Sequence, residues 1–125
     1  MKTIEYTTEF GQIIFPDGFE QKLSGRNLEE QMDCYRITIE TTICEYSYGE
    51  LDSKDVMEET VKFEECDDFR GLVVKDGIIV GIILKSLFGE DKVCLPGQKM
   101  TTYWSSDDDG VGSTDRDDTC CLICV

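Results

Sequence analysis

Residues 71–84, GLVVKDGIIVGIIL, place two apolar arms around Asp76-Gly77. An Asp-Gly pair between hydrophobic runs is a two-residue hairpin turn, because both of its positions tolerate positive φ. The returning arm, Ile78 to Leu84, is apolar or glycine throughout, so both faces of the strand it forms need cover. It is the central strand of the expected fold.

Outward from it, the most regular alternation is YRITIETTICEY (35–46). Tyr35, Ile37, Ile39 and Ile43 point one way, and Arg36, Thr38 and Glu40 the other, which is a strand packed on one face and wet on the other. TIEYTTEF (3–10) alternates similarly, with Ile4, Tyr6, Thr8 and Phe10 on one face. GQIIF follows it, Pro16-Asp17-Gly18 is turn chemistry, and FEQKL (19–23) reads as a returning strand. LEEQMD (28–33) is one helical turn. Asp52 or Ser53 is placed to cap a short helix running to about Glu59, with Asp55 and Glu58 near its positive end. TVKFEEC (60–66) is a strand with Val61 and Phe63 inward, 85–97 a loop, and KMTTYWS (99–105) a strand. The aspartate-rich 105–118 is an acidic loop that feeds a C-terminal strand over 119–125. These elements make a mainly β (α+β) domain spanning 1–125: a compact antiparallel sheet, sandwich or partly open barrel of about 8–9 short strands with one or two short helices.

Charge is the dominant global property. The chain has 27 acidic and 12 basic residues and no histidine, for a net −15. Residues 50–68 carry nine acids and two bases, and residues 105–118 six acids and one base, so these two windows hold −12 of the total. Clustered negative charge repels phosphates and anionic membranes and suits basic protein surfaces. An apolar share of 40% excludes a disordered chain, and no apolar run reaches membrane-spanning length. The start, MKTIEYTTEFGQ, does not read as a signal peptide, which sets a cytoplasmic expectation.

Seven cysteines, an odd number, are read as reduced, with Cys34, Cys44, Cys66 and Cys94 as small buried hydrophobes. Cys121 and Cys124 have CxxC spacing and Cys120 precedes them, but there is no second pair and no histidine to complete a zinc site. A redox CxxC sits at a helix start, whereas this one lies in an aliphatic run; it reads as a strand tucked into the sheet. A calcium loop counted from Asp107 places Asp109, Gly112, Asp115 and Asp118 at ligand or turn positions, but Val111 falls on a ligand position and no flanking helix is expected. No metal or other cofactor is expected.

Catalytic signatures are lacking: no imidazole base, nucleophile elbow, phosphate-cradling loop or dinucleotide fingerprint is present. The sequence therefore points to binding rather than catalysis. The expected function is an acidic intracellular inhibitor that neutralises a basic protein, of toxin-immunity or phage anti-defence type. It would act as a nucleic-acid mimic that blocks the partner's active site or nucleic-acid groove. The partner is a nuclease, toxin or defence effector, and direct nucleic-acid or membrane binding is not expected. The partner-binding residues are Glu58, Glu59, Glu64, Glu65, Asp67 and Asp68 from the first window. From the second come Asp107, Asp108, Asp109, Asp115, Asp117 and Asp118, with the adjoining Tyr103 and Trp104. The alternatives are a small-molecule-binding β-domain and a metal-binding accessory protein using the C-terminal Asp/Cys region.

Overall fold

The computed structural model describes residues 2–86, 89–108 and 112–125, with backbone alone at 107 and 108. Among them, eight strands form two separate four-stranded sheets. The first sheet has the order β1-β4-β5-β6, built from β1 (Lys2–Glu5), β4 (Phe69–Lys75), β5 (Ile78–Lys85) and β6 (Asp91–Cys94). The second has the order β3-β2-β8-β7, built from β2 (Tyr35–Ser47), β3 (Glu50–Val61), β7 (Lys99–Asp108) and β8 (Gly112–Cys124). Two short helices, α1 (Phe19–Leu23) and α2 (Leu28–Met32), lie between β1 and β2 in the chain. The molecule is thus the sandwich among the expected β-rich architectures. Its pairing is antiparallel except for β1, which runs parallel to β4.

The β4–β5 hairpin turns at Asp76 (φ 52°) and Gly77 (φ 79°), as the Asp-Gly signal requires. Six of the eight residues of β5 are buried. One face of the hairpin, through Leu72, Val74, Ile79, Ile82 and Leu84, joins Tyr35, Ile37, Val61 and Leu122 of the second sheet in the main core. The other, through Val73, Val80 and Ile83, is covered by Ile4, Tyr6, Phe10, Ile13 and Phe15 of the N-terminal chain. A register slip between Val73 and Val74 turns Ile79 and Ile82 to the same side. A Cβ on Gly81 would come within 2.6 Å of Leu95 Cδ2, so only glycine lets the next layer approach here.

Several local expectations are corrected. FEQKL is helix α1, not a strand: the helix buries Phe19 and Leu23 while carrying Gln21 to solvent, whereas a strand would put all three on one face. The N-terminal strand stops at Glu5, and Thr8–Phe10 is a 3-10 turn. Residues 50–59 form strand β3 rather than a capped helix, because Val56 and Met57 are both exposed and a short helix there would have no face to bury. Val61 and Phe63 are buried as expected, but Phe63–Glu65 is a 3-10 turn, and β6 lies within the expected 85–97 loop. Residues 105–108 and 112–118 are not loop but the distal arms of a long β7–β8 hairpin, so the final strand begins at Gly112.

Candidate functional site: an acidic wing and the cleft at its base

The second sheet is longer than the first, and its register shows where the surplus goes. The row Val61–Ile37–Leu122 lies in the main core, and Ile39, Met100 and Cys120 pack against its edge. Beyond the row Glu59–Ile39–Cys120–Met100, no described side chain of this sheet belongs to a core cluster. The strands nevertheless continue as a four-stranded wing. The segments that build it, 40–59 and 101–118, carry thirteen acids and two bases, or −11 of the net −15.

β2 makes the wing possible. It pairs with β3 on one side and with β8 on the other over twelve consecutive residues, from Tyr35↔Cys124 to Tyr46↔Ser113. The β2–β3 hairpin closes through Tyr48 (φ 53°) and Gly49 (φ 81°), a two-residue turn of the same kind as Asp76-Gly77.

Alternation then splits the aspartate run between two faces. On the inner face, Arg116 Nε donates to Asp118 Oδ1 at 3.1 Å, and its guanidinium lies 5.4 Å from the Trp104 ring centroid. Where the sheets diverge, a cleft of about 400 Å³ opens. Glu59, Asp68 and Asp118 line it beside Arg116 and Lys85, with Ile39, Leu84 and Met100 supplying apolar wall. Two acidic windows separated by 36 residues of chain thus meet at one opening, bringing Glu59 and Asp68 of the first to Asp118 of the second.

On the outer face, Asp115 and Asp117 lie with Tyr103, Tyr46, Cys44 and Lys54 in a shallower depression. The Asp115 carboxylate beside the Tyr103 phenol pushes the phenol's pKa up. Oδ1 of Asp117 is buried without a hydrogen-bond partner among the described residues. Tyr103 is 54% exposed and Trp104 37%, and neither is a core residue.

The remaining predicted residues are dispersed. Glu58 shares the outer face with Glu40, its cross-strand neighbour. Glu64 and Glu65 sit in the 3-10 turn after β3, where Glu65 accepts from the Lys62 backbone N–H at 3.4 Å, and Asp67 is exposed just beyond. Asp107 and Asp108 end β7, and Asp109 lies outside the described residues. The sequence presents these acids as two windows along the chain; the pleat sorts them instead by face. The sequence reading missed Arg116, whose signal was available: a lone base inside an acidic run, two residues from an acid and directly across from an aromatic once β7 and β8 pair.

The cysteine tail lies in β8. Cys120 and Cys124 pack against the core from one face, and Cys121 falls on the other, so the CxxC pair is divided by the sheet. Burial pushes the Cys120 thiol up to about 12 and the Cys124 thiol to about 11, which keeps both protonated and unreactive. Among the described residues no group of three or more Cys, Asp or Glu is placed to hold a metal, and Asp115 and Asp118 face opposite sides of a strand rather than wrapping one ion. Cys34 and Cys94 are buried as expected; Cys66 is half-buried beside the core, whereas Cys44 belongs to the outer face of the wing and not to the core. Among the described residues no helix is long and apolar enough to cross a membrane. No family model, curated protein or solved structure matches this chain.

Proposed function

We propose that the protein is an acidic intracellular binding protein that neutralises a basic protein partner by docking its wing against the partner's cationic groove. One observation carries the reading: segments 40–59 and 101–118 hold −11 of the net charge, and beyond the Ile39 row none of their described side chains belongs to a core cluster. Twelve carboxylates on the described strands of these segments repel one another and cost stability, so their concentration there has its rationale outside the fold. Strand-borne carboxylates are also held at fixed spacing, as are the phosphates that a nucleic-acid-binding groove accepts. The unpartnered Asp117 oxygen is an acceptor that a partner's Lys or Arg would satisfy. Exposed Tyr103 and Trp104 add aromatic contact area on both faces. An inhibitor of toxin-immunity or anti-defence type is the functional class these features suit best.

The test is affinity capture from the source cells followed by assay of the captured protein. The expected partner is basic, loses its activity when the chain is added, and is released as salt rises. Converting Asp115, Asp117 and Asp118 together to Lys is expected to weaken binding by about a hundredfold or more. A partner of acidic surface, or an affinity unmoved by salt and by this triple variant, would overturn the reading. The cleft supports a second reading, a small-molecule site, since about 400 Å³ is within the range of ligand pockets. Met100→Trp separates the two, because it fills the cleft and leaves the wing's charge intact.

A further inference from the structure

The two edges of the acidic sheet are unlike. β3 carries Glu50, Asp52, Asp55, Glu58 and Glu59, and its pairing with β2 slips at Glu45/Tyr46. Charges and bulges of this kind are how natural edge strands turn away another strand. β7 has neither protection in its middle, between Lys99 and Asp107. Its residues 100–106, MTTYWSS, contain no charge, glycine or proline, and Thr101, Tyr103, Trp104, Ser105 and Ser106 are exposed. It pairs with β8 in unbroken register from Lys99↔Cys121 to Asp108↔Gly112, so its backbone is a straight template. As the last strand in the sheet order, it presents its second row of N–H and C=O groups away from the sheet.

We propose that β7 accepts an extended cationic segment as a fifth strand of the wing. The proposal rests on the reading of a basic partner and names how that partner engages. Side chains of an added strand alternate between the two faces, and the outer face offers it two carboxylates one strand further in. Asp115 and Asp117 lie on the outer face, and Asp118 on the inner. The rings of Tyr103 and Trp104 stand on opposite faces at the edge itself, and Trp104 already holds the guanidinium of Arg116 at 5.4 Å. A basic strand therefore meets the counter-charge of Asp115 and Asp117 beside Tyr103 on the outer face. On the inner face it meets an aromatic ring whose guanidinium, that of Arg116, is paired with Asp118. A second copy would instead bring two acidic wings edge to edge.

Trp104 is the only tryptophan in the chain, so its fluorescence reports occupancy of this edge. The probes are a ten-residue peptide alternating Lys and Val, its two versions N-methylated at alternate amides, and an uncharged Thr-Val peptide. The Lys-Val peptide is expected to change Trp104 emission saturably. Methylation in one of the two alternations is expected to weaken it by at least about tenfold, since it removes backbone donors without changing charge. Equal binding of all three Lys-Val peptides would overturn strand addition and leave the basic-partner reading standing. Equal binding of the Thr-Val peptide would uphold the edge but overturn its cationic occupant and that reading with it. Failure of every peptide to bind, or a β7-paired dimer in sedimentation, would overturn the proposal.

Discussion

Cys120 shows how one residue type carries different chemistry by position. In sequence it stands in a row of thiols, a pattern that suggests a metal or redox site; in the fold it faces the core beside Cys66 in the cleft wall. Desolvation first, then the nearby Cys66, raise its pKa from an ordinary 9.0 to about 12. Cys94 and Cys124 are likewise pushed up to about 11 by burial. Above about pH 9 the unfolded chain loses these protons while the folded chain retains them, so the native state binds more protons and stability falls as pH rises. The thermal midpoint is expected to decline between about pH 9 and 12, and Cys120→Ala to show a shallower decline from a lower starting point. A midpoint flat over that range, measured under reducing conditions, would contradict the burial of these thiols. The aliphatic run in TCCLICV made the strand legible; which face met the core was not, because both faces of the segment carry cysteine.

At the scale of elements, the joint between α2 and the β4–β5 hairpin depends on a polar side chain that the sequence reading passed over. Gln31 is 1% exposed. Its Nε2 donates to Arg26 O and Gly77 O, both at 2.9 Å, and its Oε1 accepts from Ile79 N at 2.8 Å. Tyr35 reaches the same hairpin, donating to Ile79 O at 2.6 Å. Gln31→Leu keeps the volume but leaves the Ile79 N–H and the Gly77 carbonyl without this partner, each worth about 1–3 kcal/mol when buried. A loss of about 2–4 kcal/mol in chemical denaturation is expected, and a loss under about 0.5 kcal/mol would mean that the joint closes some other way. The hairpin itself was plain in the sequence, since Asp76-Gly77 fixes a turn by backbone chemistry alone. Residues 50–59 and 105–118 misled because acids favour loops and helix starts locally, whereas here the unpaired backbone of β2 dictates strand on both sides.

For the whole molecule, the fold divides into a nearly balanced body and an anionic extension. Segments 40–59 and 101–118 hold −11, leaving −4 for everything else. Like charges on a solvated sheet repel over a Debye length, which shrinks from about 30 Å at 0.01 M to about 8 Å at 0.15 M salt. Raising simple salt over that range is therefore expected to raise the thermal midpoint. Neutralising Asp55 and Asp117 together to Asn should raise it at low salt and reduce its salt dependence. A midpoint indifferent to both would mean that the wing's charge carries no folding penalty, removing the main physical support for a role in binding.

The sequence by itself determined the β-rich class, the central hairpin and the excess of negative charge, because these follow from local periodicity, turn chemistry and composition. Only the tertiary structure decided that the acids stand on strands, that the pleat divides them between two faces, and that Glu59, Asp68 and Asp118 meet at one cleft. Those outcomes depend on which strands pair and in what register. Register is set by β2 satisfying its backbone on both sides, a long-range condition that no local stretch of the chain encodes.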